Sequence, residues 1–216
     1  WQMQPGKKGV CVDWSLTGTE PSVRLDFKYA VDRAGTPVAF TYRVPSFDGT
    51  LISTNFFPAS GLAADSPASL ALNCAGLGQP GGSDPYQVSG SDLYVPGTGT
   101  LRDAGYNVIT WDPRGEFASG GILQLDNPFF EGRDVSAILD WAAALPGVQL
   151  NAPNDPVVGM VGGSYGGGIQ LITASMDPRI DAIVPELAWN SLNESLSPNG
   201  VLNKQAASSL LAKIGR

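Results

Sequence analysis

A serine stands among glycines at the point where an apolar run gives way to a helix-forming segment. The pentapeptide GGSYG at residues 162–166 follows the apolar residues 157–161 and precedes apolar residues at helical spacing. A hydroxyl on such a turn stands at a helix N-terminus, where the helix dipole favours developing negative charge. Gly162 and Gly166 provide the room that so tight a turn requires. The pattern predicts a nucleophilic Ser164, and the alternative is a glycine-rich turn whose serine only caps the helix.

A nucleophilic serine also needs backbone N–H donors that face the oxyanion formed during the reaction. Tyr165 directly follows the serine, so its N–H is the first expected donor. The second donor should come from the loop after an earlier strand, and the turn AGLG at residues 75–78 makes the Leu77 N–H the candidate. That turn can equally be a plain connection between a strand and a helix, and its spacing does not separate the two interpretations.

Histidine, the usual base partner of a nucleophilic serine, is absent from all 216 residues. Chemistry that requires an imidazole base therefore cannot be completed by these residues alone. Along the chain, a serine on such a turn is followed by an Asp or Glu and then by a His. Only acids follow Ser164, namely Asp177, Asp181, Glu186 and Glu194.

The surrounding segments predict a parallel sheet that is covered by helices on both faces. Its strands are expected at four short apolar runs, which are Leu70 to Leu72, Val108 to Trp111, Val157 to Val161 and Ile180 to Val184. Helical spacing predicts one helix over Asp134 to Leu145 and another from Ser164 to the Asp177-Pro178 boundary. A turn at residues 197–200 should be followed by a helix through Leu210 and Ile214.

The N-terminal part of the chain has the alternation of β-strands. Apolar and charged residues alternate from Val23 to Tyr29, which is the period of a half-buried strand. Asp48-Gly49 tolerates the positive φ of a hairpin turn, so Tyr42 to Val44 and Leu51 to Phe57 are expected to pair antiparallel.

Composition excludes several classes of function. Lys and Arg number 13 and Asp and Glu number 20, so the net charge of −7 disfavours a nucleic-acid partner. No apolar run approaches the 18 or so residues of a membrane-spanning helix. Two cysteines without histidine make a metal site improbable, and no cofactor is indicated. Cys11 and Cys74 are either a disulfide or two free thiols, and their even number fits an exported protein.

Five stretches together resemble one group of proteins, the α/β-hydrolase family of X-prolyl dipeptidyl-peptidases and cocaine-esterase-like acyl hydrolases. The resemblance spans residues 40–205 and rests on Ser46 to Leu51, Trp111 to Gly115, Asp134 to Trp141, Gly159 to Gly167 and Trp189 to Gly200. It implies an α/β-hydrolase fold with a mostly parallel sheet, an antiparallel N-terminal portion and the start of a helical cap. Residues 1–187 would be the N-terminal part of the catalytic domain, and residues 188–216 would begin the cap.

The same resemblance implies a serine hydrolase in which Ser164 becomes acylated and Tyr165 contributes an amide to the oxyanion hole. Asp112 and Arg114, in the D-x-R-G turn, are expected to support the region of the serine turn rather than to react, because the triad acid follows the serine. Asp177 and Asp181 come too early in the family pattern to be that acid. The triad Asp and His are therefore expected on a missing C-terminal part or a second chain that completes the sheet.

Three explanations of the missing part remain open: a fragment of a nicked hydrolase, a truncated chain, or a pseudoenzyme. The first two are favoured, since the chain starts at Trp1 without an initiator Met and ends after Arg216. The predicted substrate is a small molecule or peptide with an acyl group, and the predicted location is secreted or in the cell envelope. The competing prediction is a binding or assembly subunit of the same fold without catalysis.

Overall fold

The computed structural model of the chain describes residues 11–14, 27–31, 37–62, 66–90 and 95–214. Its strands are β1 (Cys11–Trp14), β2 (Phe27–Val31), β3 (Pro37–Pro45), β4 (Leu51–Phe57), β5 (Leu70–Cys74), β6 (Asn107–Trp111), β7 (Leu150–Ala152), β8 (Asp155–Pro156), β9 (Val158–Gly163) and β10 (Ala182–Glu186). Its helices are α1 (Thr98–Asp103), α2 (Glu131–Ala143), α3 (Tyr165–Met176), α4 (Leu192–Leu196) and α5 (Lys204–Ile214), with a 3₁₀ turn at Pro198–Gly200.

A mixed sheet forms the centre of the fold, with the strand order β1-β2-β3-β4-β6-β5-β9-β10. The strands from β1 to β4 pair antiparallel, and β4 also pairs antiparallel with β6. The remaining pairs, β6 with β5, β5 with β9 and β9 with β10, are parallel. The sheet therefore has the antiparallel N-terminal portion and the parallel C-terminal portion that the sequence predicts.

The predicted hairpin is confirmed by β3 and β4, whose register places Val44 opposite Ile52. Gly49 in the turn has a φ of +81°, which glycine adopts without the strain that a side chain would bring. Of the alternating segment that starts at Val23, the part from Phe27 onward forms β2, while residues 23–26 lie outside the described residues.

Helices cover the sheet on both faces because alternate residues of each strand point to opposite sides. Leu70 and Leu72 of β5 pack with α2 and α3 on one face, in a cluster with the buried side chains Val135, Ile138, Leu139, Ala142 and Ile169. Ala71, between them, packs on the other face in a second cluster with Phe57, Val108 and Leu101 of α1. Helix α2 begins three residues before the predicted start at Asp134, because Glu131 already has helical geometry.

Strand β10 lies at one end of the strand order, and within the described residues no strand pairs with its outer side. Its side chains are mostly exposed, and Val184 is 62% exposed. The C-terminal half of the sheet is thus open at the edge next to the serine turn.

The predicted alternative of a Cys11–Cys74 disulfide is wrong, because Cys74 is a free and buried thiol. Its Cα lies on β5, five strand positions from β1, which carries Cys11. At about 4.8 Å per position, the two backbones are separated by far more than the 7 Å or so that a disulfide spans. Burial raises the pKa of the Cys74 thiol well above its ordinary value, so the thiol stays protonated.

As for helices, the described part of the chain has none that is both long and apolar enough to cross a membrane.

Candidate active site

Ser164 lies on the turn between β9 and α3 and has φ 56° and ψ −117°, a strained backbone conformation for a residue other than glycine. Its N–H donates to the carbonyl of Glu186 at 2.8 Å, and its carbonyl accepts from Gly167 and Gly168 at 2.9 Å each. The Ser164 side chain makes no capping hydrogen bond to the helix and is partly exposed. The backbone therefore holds the residue, while its hydroxyl is left available to another group.

The turn is packed directly against the carboxyl end of β5. A Cβ atom added to Gly162 would lie 2.5 Å from the carbonyl oxygen of Cys74, and one added to Gly166 would lie 2.3 Å from the same oxygen. Both distances are shorter than any real contact of a Cβ atom with backbone. Glycine is required at these two positions because two backbone segments meet there.

Gln170, which the sequence analysis did not single out, ties this turn to the last strand. Its fully buried side chain donates to the carbonyls of Gly162 and Gly166 at 3.1 and 2.7 Å and accepts from the N–H of Val184 at 2.9 Å. The only signal in the sequence is a polar residue between apolar neighbours of a helix. That signal does not reveal which groups the amide bonds.

The two candidate oxyanion donors lie on the same cavity as the serine. Tyr165 is the first residue of α3, where backbone N–H groups have no acceptor within the helix. Leu77, in the loop after β5, is buried, and both residues line a cavity of about 490 Å³ together with Ser164. The structure thus brings together the three residues for which the sequence predicts acyl-transfer chemistry.

Strained backbone is concentrated around this cavity. Leu125 and Leu187, which line it, have φ values of 57° and 49°, and Ser164 shares this left-handed region. Residues other than glycine adopt such angles only where the surrounding structure holds them, and they cluster at functional sites.

Arg114 and Asp112 lie outside this cavity and are engaged in contacts of their own. The Arg114 guanidinium, 3% exposed, donates to both carboxylate oxygens of Asp134 at 2.9 and 2.6 Å and to Asp48 at 2.7 Å. Asp134 also accepts from the Ser46 hydroxyl. Because Arg114 stands beside it, the Asp48 carboxyl has a pKa below its usual range.

The Asp112 carboxylate accepts from the backbone N–H groups of Gly81 and Ala118 at 2.9 and 3.1 Å. These bonds join the loop after β5 to the loop after β6. The two D-x-R-G side chains are therefore placed to hold loops and strand ends together, and neither is among the residues that line the cavity with Ser164.

Asp126 is a second residue that the sequence analysis missed. Its side chain is 4% exposed, neither carboxyl oxygen has a hydrogen-bond partner among the described residues, and Oδ2 packs against Gly168 in the first turn of α3. The Tyr165 hydroxyl is close enough to interact with it electrostatically without forming a well-oriented hydrogen bond. Burial, with a smaller contribution from Glu131, raises the pKa of Asp126 to about 8, so the carboxyl is mostly neutral at pH 7.

The comparisons with known proteins concern the family and the fold. A family model described as X-Pro dipeptidyl-peptidase (S15 family) matches residues 49–214, which is most of the chain. An uncharacterized 31.7 kDa protein of the traX-finO intergenic region of Escherichia coli is 26% identical over 116 residues. That alignment covers 54% of this chain and 38% of the Escherichia coli protein, so the chain spans well under half of that relative's length.

Solved structures are similar in fold. SACOL2612, a CocE/NonD family hydrolase from Staphylococcus aureus, matches with a TM-score of 0.63 and 18% identity, covering 93% of this chain and 38% of that one. An acetyl xylan esterase from Paenibacillus sp. R4 matches with a TM-score of 0.58 and 13% identity, covering 96% and 63% of the two chains. The resemblance and the α/β-hydrolase fold predicted from the sequence are therefore confirmed.

Proposed function

Because this chain belongs to the X-Pro dipeptidyl-peptidase (S15) family of hydrolases, we propose that it is the nucleophile-bearing part of a serine hydrolase that cleaves an ester or amide bond. The observation that carries the proposal is the Ser164 hydroxyl, which is uncapped and partly exposed on a strained turn. It lies beside the Tyr165 amide at the wall of a cavity large enough for a substrate.

In the proposed reaction, a histidine supplied by another segment or chain takes the hydroxyl proton of Ser164 as its oxygen attacks the substrate carbonyl. The oxyanion that forms accepts hydrogen bonds from the N–H groups of Tyr165 and Leu77. Collapse of this intermediate breaks the bond to the alcohol or amine, which leaves with the proton from the histidine. Water then attacks the acyl-enzyme by the same route and releases the acid.

The open edge of the sheet supports a second segment or polypeptide as the source of the base. Strand β10 has an unpaired outer side within the described residues, and its Val184 is largely exposed. Edge strands with exposed apolar residues are sites for strand addition. A further strand that runs parallel to β10 would also bring its carboxyl end to the side of the sheet that carries Ser164.

The absence of histidine favours one alternative, a binding or assembly subunit that keeps the fold without catalysis. In that case the Ser164 turn would be a structural feature only, and the hydroxyl would have no base within reach. Secretion or a location in the cell envelope, and a cap that begins at residue 188 and includes α4 and α5, remain predictions as well.

A fluorophosphonate probe tests the proposal on the native protein that contains this chain. Because the probe reacts only with a serine activated by a base, we expect it to label Ser164, and Ser164→Ala should abolish the label. Ser195→Ala is the matched control, since Ser195 lines the same cavity but donates its hydroxyl to the carbonyl of Ser191. Intact-mass analysis of the same sample should find a histidine-bearing segment or chain. Folded native protein that stays unlabelled would favour the alternative.

A further inference from the structure

The walls of the cavity beside Ser164 indicate which acyl groups it accepts. We propose that the substrate's acyl group is an uncharged hydrocarbon chain or ring, longer than acetyl, and not a peptide whose N-terminal ammonium must be held. This inference rests on the proposed function and adds the substrate class.

The first support is the chemistry of the lining. Among the described residues that line the cavity none is charged, and most are aliphatic, with seven leucines as the largest group. Ser195 has its hydroxyl bonded to the carbonyl of Ser191 at 2.8 Å. Ser164 is therefore the serine in the lining whose hydroxyl is not already used within a helix.

The second support is the orientation of the two helices after β10. Leu192, Ser195 and Leu196 of α4 line the cavity, which is the i, i+3, i+4 spacing of one helix face. Glu194, between them, is exposed and is not part of the lining. Helix α4 therefore turns its apolar face to the cavity and keeps its carboxylate in solvent.

Helix α5 also turns its apolar face to the cavity. Ala206, Ala207 and Leu210 line the cavity and are half-buried, whereas Ser208 and Ser209 are exposed. Burial of an ammonium group against such walls is strongly unfavourable unless a carboxylate or several carbonyls replace its water. The described lining offers no carboxylate for this purpose. An apolar acyl group, in contrast, is stabilised by each methylene that it removes from water.

The third support is size. A volume of about 490 Å³ lies within the range of small-molecule sites and exceeds what an acetyl group requires. The exposed side chains of Leu187 and Leu211, at 77% and 67%, border the same space and extend its apolar surface outward. A medium-length chain can therefore lie along α4 and α5 with its carbonyl carbon at Ser164.

The inference is tested by p-nitrophenyl esters from acetate to dodecanoate, hydrolysed by the native protein that contains this chain. We expect kcat/KM to rise by about fourfold per methylene until the cavity is filled. A dipeptidyl p-nitroanilide with a free N-terminus should be a poor substrate in comparison. A chain-length profile without a rise, or a preference for the free dipeptide, would overturn the inference.

Two variants of α5 test where the acyl chain of the substrate binds. Ala207→Phe places a ring in the cavity and should lower kcat/KM for the decanoate ester at least tenfold relative to the acetate ester. Ser208→Phe adds the same ring on the exposed side of the helix and should leave the ratio unchanged. Labelling of Ser164 by a small fluorophosphonate checks that each variant is folded. An equal effect of the two variants on the ratio would contradict the proposed site.

Binding of decanoate separates this inference from the proposed function. Trp189 lines the cavity, so decanoate should change the tryptophan fluorescence of the native protein, and Trp189→Phe should remove that change. Binding without fluorophosphonate labelling would overturn the hydrolase function and still support an apolar ligand. Labelling of Ser164 with neither decanoate binding nor a chain-length dependence would overturn the inference and leave the hydrolase in place.

Discussion

Gln170 connects the serine turn with the edge strand through one buried amide. Replacing it with Met keeps the length of the side chain but leaves the Val184 N–H and the carbonyls of Gly162 and Gly166 without this partner. Buried backbone groups that lose a partner cost about 1–3 kcal/mol each when no water replaces it. We expect Gln170→Met to lower the free energy of unfolding by about 2–4 kcal/mol in urea denaturation and to slow labelling of Ser164.

Ser175→Ala is the control on the same helix, because the Ser175 hydroxyl is exposed and bonds only the carbonyl of Ile172. Its effect on the free energy of unfolding should stay below about 0.5 kcal/mol. Similar losses in the two variants would show that the Gln170 amide does not hold the turn.

Asp126 makes the free energy of unfolding depend on pH. Its pKa is about 8 in the folded chain and 3.8 without the fold, so between these values the folded state holds a proton that the unfolded state has lost. The contribution of this residue to stability therefore falls as pH rises through that window and is least favourable near pH 8 and above. Asp126→Asn removes the titration and keeps a side chain that tolerates the φ of 59°.

We expect urea denaturation to show Asp126→Asn more stable than the unmodified protein at pH 8, by on the order of a few kcal/mol, and nearly equal to it at pH 4. Ser175→Ala, which removes no ionisable group, should leave the pH profile unchanged. A difference between Asp126→Asn and the unmodified protein that is the same at both pH values would exclude this titration as its cause.

At the level of elements, the contact between the serine turn and β5 depends on the absence of a side chain at Gly162. Gly162→Ala would place its Cβ 2.5 Å from the Cys74 carbonyl oxygen, so strands β9 and β5 must separate. We expect a loss of about 3 kcal/mol or more in unfolding free energy, since overpacking between backbones cannot relax through side-chain rotation.

Gly159→Ala, on the same strand, is the matched control because the nearest atom to its added Cβ is 3.7 Å away. This substitution should change the free energy of unfolding by less than about 1 kcal/mol. Thermal unfolding of the two variants compares them directly, and comparable losses would mean that glycine is needed along β9 for a reason other than this contact.

For the whole molecule, the decisive feature is the outer side of β10. If another strand completes the sheet in the native protein, outward-pointing amides of residues 182–186 should exchange with deuterium as slowly as those of β9; Val184, whose N–H already bonds Gln170, and Pro185, which has no N–H, are left out of the comparison. This follows because a paired edge opens only with the sheet, whereas an unpaired one is accessible to water. Mass-spectrometric hydrogen exchange checks it by comparing a peptide that spans β10 with one that spans β9. Fast exchange across β10 would argue against strand addition.

Local patterns in the sequence were sufficient to predict much of the fold. The hairpin at Asp48-Gly49, the strands of the parallel portion, and helices α2, α3 and α5 follow from spacing within about ten residues, because period and turn residues are local properties. The serine turn was predictable for the same reason, because the serine, its glycines, the strand and the helix are contiguous along the chain.

The remaining features depend on contacts between residues far apart in the sequence. Arg114 meets Asp134 and Asp48, which are 20 and 66 residues away, and no local pattern specifies such partners. The thiol state of Cys74 was left open by the cysteine count and was decided by strand order, which separates β1 from β5. The isolation of Asp126 and the apolar cavity likewise arise only when several segments pack together. The sequence by itself determined most of the elements and the serine turn, while tertiary structure determined their environment, because burial and long-range pairing exist only in the folded chain.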